Sequence, residues 1–208
     1  MLTQEHKERR VQWGKQHLND DWQSTVFTDE SSFQLFRNTI RRWSKYPQEE
    51  KKRVPKNRQK VHVWGSISYQ GKVGFHSFQN IMNSDYYVDI LENNLIENAQ
   101  RQFNGKWRLQ QDNDPKHRSA TTKRWLADNV PAIMDWPSNS PDLNPIENMW
   151  NIMKRRIEKR KPKNINDLKT YIDEEWEHIE KDLVINLIDS MKNRCRLVIE
   201  SKGERIKY

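Results

Sequence analysis

The sequence predicts an α/β fold with a mixed central β-sheet flanked by α-helices. Three observations predict it. Strand-type alternation and turn signals fill residues 25–78, strand and helix patterns alternate from there to about residue 160, and only helical periods follow. At 208 residues the chain is long enough for one domain with a substantial core, and nine tryptophans offset a modest apolar fraction of 34%.

Each element follows from its residues. Leu2, His6, Arg9, Arg10, Trp13 and Leu18 fall at loosely helical spacing, so residues 2–20 are read as a helix. Residues 25–36 (T-V-F-T-D-E-S-S-F-Q-L-F) are read as two strands around a polar D-E-S-S turn. Residues 37–60 show no period and dense charge, which marks a long excursion. Val61–Ser68 alternates as a strand, residues 69–72 turn, and Val73–Phe78 completes a hairpin. A helix runs from Ser84 to about Phe103, with Ser84 and Asp85 as N-cap candidates and Asn104-Gly105 as its stop. Trp107–Gln111 is a short strand delivering Asp112, residues 119–128 are helical, and Ile133–Trp136 is a short strand before a proline-punctuated loop. Helices at 145–160, about 165–181 and 184–201 finish the chain.

Charge is concentrated rather than spread. Arg37–Lys60 holds ten Lys/Arg against two Glu, and Lys154–Lys163 holds seven against one, so the remaining chain is net acidic within a total of +8. Basic runs on an acidic body fit a polyanion-binding surface, although each run also reads as a solvated face. No segment approaches the roughly 20 apolar residues needed to span a bilayer, so no membrane partner is expected. A single cysteine, Cys195, excludes an internal disulfide framework and fits a reducing compartment.

Three carboxylates carry the chemistry. Asp112 closes a predicted strand, Glu147 opens a predicted helix with 34 residues between them, and Asp29 stands upstream in V-F-T-D-E-S. Acids converging from different elements can hold divalent cations for in-line displacement at phosphorus, since magnesium takes hard oxygen ligands and keeps several waters. Each has a blander reading. Asn144-Pro145-Ile146-Glu147 is also a capping box, in which Glu147 satisfies a backbone N–H. It also sits on the flank of the apolar stripe Ile146, Met149, Trp150, Met153 and Ile157. Glu30 competes with Asp29, Asp114 competes with Asp112, and His117 reads as a turn or surface residue. Trp136 and Trp150 read as core.

Taken together, V-F-T-D-E-S, Q-Q-D-N-D-P-K-H and W-P-S-N-S-P-D-L-N-P-I-E-N-M-W resemble the catalytic domain of Tc/mariner-type DNA transposases, in particular the Sleeping Beauty-like branch. Val61–Gly65 (V-H-V-W-G) and Asp85–Leu91 resemble further elements of that family, and the match runs from about Leu2 to Leu183. The resemblance implies an RNase H-like fold and a catalytic, metal-binding triad of Asp29, Asp112 and Glu147. The spacing matches the Glu-type branch. It implies two Mg2+ ions per active site, with Mn2+ able to substitute, shared by Asp29 and Asp112 with Glu147 on the second. It also implies cut-and-paste transposition: water attacks at the transposon end, and the freed 3′-OH attacks target DNA, typically at TA.

In the same resemblance, residues 37–60 correspond to a clamp loop reaching toward DNA and a partner subunit, so a homodimer on DNA is expected. Candidate DNA contacts are Arg37, Arg41, Arg42, Lys45, Lys51, Lys52, Arg53, Lys56, Arg58, Lys60, Lys154 and Arg155. The expected site of action is the nucleus, and Lys51-Lys52-Arg53-Val54-Pro55-Lys56 reads as an import signal as well as a DNA-facing loop. Two departures stand out. The family's N-terminal paired helix-turn-helix domains have no counterpart here, so the sequence is expected to be a catalytic fragment, an engineered domain or a domesticated remnant. Its glycine-rich strip is replaced by Asn57-Arg58-Gln59-Lys60. Two other functions stay open: a non-enzymatic DNA-binding protein derived from such an element, and an RNase H-like nuclease that cuts without joining.

Overall fold

The computed structural model describes residues 2–35 and 59–207. Nine of the candidate DNA contacts (Arg37, Arg41, Arg42, Lys45, Lys51, Lys52, Arg53, Lys56 and Arg58) lie outside the described residues.

The described elements are, in order, α1 (Gln4–His17), β1 (Thr25–Gln34), β2 (Lys60–Ser68), β3 (Gly71–Phe78), α2 (Ser84–Leu91), α3 (Glu97–Phe103), β4 (Arg108–Gln110), α4 (Ala120–Asn129), α5 (Pro145–Arg160), α6 (Ile165–Glu177), α7 (Lys181–Asp189) and α8 (Met191–Glu200). A wide π turn, Glu92–Ile96, joins α2 to α3. The sheet order is β3-β2-β1-β4, with β1–β2 and β2–β3 antiparallel and β1–β4 parallel. The mixed sheet flanked by helices agrees with the fold class expected from sequence.

Several local expectations need correction. β1 runs without a turn through Asp29-Glu30-Ser31-Ser32, because those four residues pair with Gly65, Trp64, Val63 and His62 of β2. Asp112 lies two residues beyond β4 rather than at its end. Ile133 makes only an isolated parallel bridge to Leu109. The N-cap of α2 is Asn83, whose side chain accepts from the Tyr86 N–H, rather than Ser84 or Asp85. The last predicted helix is two, α7 and α8, divided at Ser190.

The sheet separates two cores, and strand alternation assigns each side chain to one of them. Phe27 and Phe33 of β1 and Val61, Val63 and Ile67 of β2 join Trp13, Trp136, Trp150 and Trp176 beneath α1 and α5–α8. Val26 and Trp64 face the other way, onto Tyr87, Ile90, Leu91, Leu95, Ala99 and Leu126 from α2–α4 and the π turn. Burying each such side chain contributes about 1.5–3 kcal/mol. The alternation has a direct consequence for chemistry. Asp29 shares its face with Phe27 and Phe33, toward α5, whereas Glu30 points to the α2–α4 side.

Candidate active site

Asp29 is held by packing above the sheet. Its β-ladder partner is Gly65, where a Cβ would lie 2.5 Å from the Trp150 ring and 3.1 Å from that of Trp176. The missing side chain lets the fully buried Trp150 indole lie against the strand, stacked 5.7 Å from Trp176, with its Nε1–H donating to Asp29 Oδ2 at 3.1 Å. Trp150 is therefore core, as expected, and also fixes the orientation of a site carboxylate.

Glu147 arrives from the first turn of α5. Asn144 caps this helix, accepting from the Ile146 N–H, and its Nδ2 donates to the Thr28 carbonyl at 3.0 Å, tying the helix start to the residue before Asp29. The Asn144 backbone N–H goes to the Pro141 carbonyl. The expected alternative, a capping box in which Glu147 folds back onto that N–H, is thus not formed. The Glu147 carboxyl lines the cleft instead.

The loop leading into the helix that bears Glu147 is anchored by two buried arginines. Arg10 of α1 grips both carboxylate oxygens of Asp142, at 2.9 and 2.6 Å, and donates to Ser140 Oγ and to the carbonyls of Gly203 and Glu204. Arg194 of α8 donates to the Asp142 carbonyl and to Asn148 Oδ1. The first and last helices thereby clamp the Ser140–Asn144 segment from below.

Asp112 sits in the loop after β4, its side chain 52% exposed. The Asp114 N–H donates to Asp112 Oδ1 at 3.0 Å, and the same oxygen lies 2.8 Å from His117 Nδ1. His117 is not the surface residue expected: only 3% exposed, it packs against the Tyr87 ring with centroids 4.1 Å apart and places Nε2 3.0 Å from Glu30 Oε1. A histidine in an Asn-Asp-Pro-Lys-His turn belongs to no hydrophobic period and carries no local sign of burial. Asp114, the other candidate, pairs with Lys116 at 3.0 Å and shapes the loop, although it also reaches the cleft wall.

All three predicted acids line one open cleft of about 420 Å3, whose wall also holds Asn113, Ser138 and Asn144 and one positive charge from Arg118. Their charges are mutually felt. Burial, then the carboxylates of Glu147, Glu30 and Asp112, push Asp29 well above the usual range. Burial raises Glu147 too, with Lys154 opposing and Asp112 adding to the rise. Burial also disfavours ionisation of Asp112, but the hydrogen bonds from His117 and the Asp114 N–H outweigh it and hold this carboxyl below the usual range. Burial lowers His117, yet its bonds to Asp112 and Glu30 dominate and raise it to about 9, so at neutral pH it is a cation donating from both nitrogens. Among the described residues, no three His, Cys, Asp or Glu side chains are placed closely enough to hold a metal ion together. The acids share a cleft without being drawn to one point.

The second basic run is only partly free for an external anion. Arg156 lies 3.7 Å from Glu175, and Arg160 pairs with Glu174 and Glu175 on α6 while stacking 3.7 Å over Tyr171. Arg155 is exposed, Lys154 is half-buried with its ammonium 5.5 Å over the Phe33 ring, and Lys60 is exposed at the start of β2. Cys195 is buried and unpaired, its thiol pushed up to about 12 by burial and the nearby Asp20 charge. Among the described residues no helix is long and apolar enough to cross a membrane.

Comparison with known proteins gives this cleft a context. Residues 24–169 match the family model described as DDE superfamily endonuclease. The chain is 34% identical over 218 residues to the Tcb1 transposable-element transposase of Caenorhabditis briggsae, all of the chain aligning with 80% of that protein. Among solved structures, it superposes on the Mos1 mariner paired end complex with Mn at a TM-score of 0.86 and 17% identity, covering all of this chain and 65% of that one. The Mos1 transposase catalytic domain, solved with raltegravir and Mn, matches at a TM-score of 0.80 and 16% identity over 99% of its length. The chain thus spans about two thirds of the longer Mos1 chain and nearly all of its catalytic domain. The structural likeness shows that the mixed sheet is an RNase H-like fold. By family match and by sequence identity, the chain belongs to the DDE superfamily endonuclease family and is a transposase catalytic domain of the Tc/mariner type.

Proposed function

We propose that this domain performs cut-and-paste DNA transposition, hydrolysing a phosphodiester at each transposon end and then directing the freed 3′-OH onto a target phosphodiester at TA. The observation that carries this reading is the convergence of Asp29, Asp112 and Glu147, from a strand, a loop and a helix start, on one open cleft. The donor set fits Mg2+, or Mn2+ in its place. The oxygens are hard, and the burial and mutual repulsion that raise Asp29 and Glu147 are what a bound divalent cation would offset. Asp29, Asp112 and Glu147 would hold two such ions per site, which would supply an activated attacking oxygen and offset charge at the phosphate.

The chain's own residues set the frame. Trp150 and the Asp114 N–H orient two of the acids, and Asn144 ties the helix bearing the third to β1. Arg118 brings positive charge to the cleft wall, Lys154 adds its charge beside Glu147, and the exposed Lys60 and Arg155 would track DNA phosphates. Related Mos1 structures contain a transposon end, Mn or Mg, which supports both the DNA and the metal parts of the proposal. A second copy of the chain, met on DNA through residues 37–60, and action in the nucleus complete the reading.

The test is cleavage of a transposon-end duplex with Mn2+. Asp112→Asn is expected to abolish nicking while the melting temperature stays within a few degrees, and retained cleavage would refute the assigned role. Supplying a pre-cleaved 3′-OH end and finding joined products separates transposition from hydrolysis alone.

A further inference from the structure

Asp29 and Glu30 are neighbours on β1 whose side chains leave opposite faces of the sheet, and the structure gives both a connection to the cleft. Asp29 reaches it directly. Glu30, 20% exposed on the α2–α4 side, accepts at 3.0 Å from His117, whose other ring nitrogen lies 2.8 Å from Asp112 Oδ1. We infer that Glu30 and His117 are a positioning pair for Asp112, fixing the second carboxylate of the site from beneath the loop that carries it. This rests on the metal-dependent reading of the cleft given above.

The physical case begins with what Asp112 lacks. β4 ends at Gln110, so no ladder hydrogen bond holds residue 112, and beyond the local turn bond from the Asp114 N–H its half-exposed side chain relies on His117 to fix its rotamer. A ligand that must be ordered at the moment of binding weakens the site, whereas one already held does not. Here the holding group is itself held. The imidazole is buried, packed against Tyr87, and gripped at its far nitrogen by a carboxylate that belongs to the central strand rather than to the loop. Tyr87 is in turn hydrogen-bonded to Gln111 at 2.8 Å, and Thr122 Oγ1 donates to the Lys116 carbonyl at 2.7 Å, so the turn is braced on both sides. Lys116 lies 3.6 Å from Glu30 and 3.0 Å from Asp114, closing the ring of charges around the histidine. The arrangement has the form in which a second layer orients a metal-binding carboxylate, where loss of the outer partner commonly costs about ten- to a hundredfold in metal affinity.

The test is Mn2+ binding to the intact chain, read by the electron paramagnetic resonance signal of free Mn2+, beside thermal melting of each variant. Glu30→Ala should weaken Mn2+ binding about tenfold or more. Glu30→Gln keeps an acceptor oxygen for His117 Nε2–H and should stay within about threefold of wild type. Asp112→Asn is the reference for loss of the ligand itself. Should Glu30→Ala bind Mn2+ as wild type does, whatever its melting temperature, the positioning role is overturned and the contact is only structural. Equal losses in Glu30→Ala and Glu30→Gln would also overturn it, since the acceptor oxygen would then not be what matters. If wild type and Asp112→Asn bind Mn2+ equally poorly, the metal reading of the cleft fails, and this inference falls with it.

Discussion

Gly65→Ala perturbs the site from behind. The added Cβ would stand 2.5 Å from the Trp150 ring, a separation no such contact tolerates, and 3.1 Å from Trp176. The indole has no room to retreat, being fully buried and stacked on Trp176 with the Phe33 ring edge-on at 6.4 Å. Forcing a methyl into such a core costs about 1–3 kcal/mol. Displacing the indole also breaks its bond to Asp29, and an intramolecular hydrogen bond of this kind contributes about 0.5–1.5 kcal/mol net. Water entering the cleft recovers part of the second term, so we expect a net loss of about 2–4 kcal/mol. For a chain of this size that lowers the melting temperature by about 5–15 °C. Trp150→Phe separates the two effects, because it keeps most of the packing and removes only the donor. It should melt closer to wild type yet cleave DNA at least tenfold more slowly. Circular dichroism melting and a cleavage time course decide the matter. A Gly65→Ala protein melting within about 2 °C of wild type would show that the indole is not pressed against the strand, and the account of how Asp29 is oriented would be wrong.

Two further predictions follow from the buried charges. Asp142→Ala leaves the Arg10 guanidinium buried without its carboxylate, which should cost about 3–5 kcal/mol in urea unfolding, and a change below about 1 kcal/mol would contradict the clamp on the Ser140–Asn144 segment. The pH dependence of stability should carry the signature of His117. Its folded pKa, about 9, lies above its unfolded value of 6.5, so its contribution is fully present below pH 6.5 and is lost as pH rises through 9. That window corresponds to about 3 kcal/mol. His117→Gln should flatten the decline in melting temperature between those limits, and an unchanged decline would assign it to other groups.

Much of this architecture is legible in the chain, and what is not legible has physical causes. The bounds of α5, 145–160, are legible because a capping asparagine, a first-position proline and a regular apolar stripe all agree. β1 reads as two strands because Asp29-Glu30-Ser31-Ser32 has the polarity of a turn. In the structure that polarity belongs to the cleft on one face and to the His117 contact on the other. Functional residues inside a strand imitate a loop, since local pattern cannot tell polarity meant for solvent from polarity meant for a partner distant in sequence. The division between α7 and α8 was invisible for a related reason. Ser190 interrupts no hydrophobic period, and only its hydroxyl bonds to the Leu187 carbonyl and Arg194 mark the break. The three candidate acids are legible because they occur in recognisable blocks, and the structure brings them to one cleft. The residues that hold them are hidden because Trp150 meets Asp29 across 121 positions of sequence, Asn144 meets Thr28 across 116, and His117 is anchored by Glu30 across 87.

The central claim is that Asp29, Asp112 and Glu147 jointly bind divalent metal for phosphoryl transfer. Its most direct test is an anomalous difference map from crystals soaked in Mn2+. One or two peaks are expected in the cleft, within about 2.0–2.3 Å of carboxylate oxygens from all three residues. Peaks elsewhere, or a cleft that stays empty at saturating Mn2+ with transposon-end DNA bound, would contradict it.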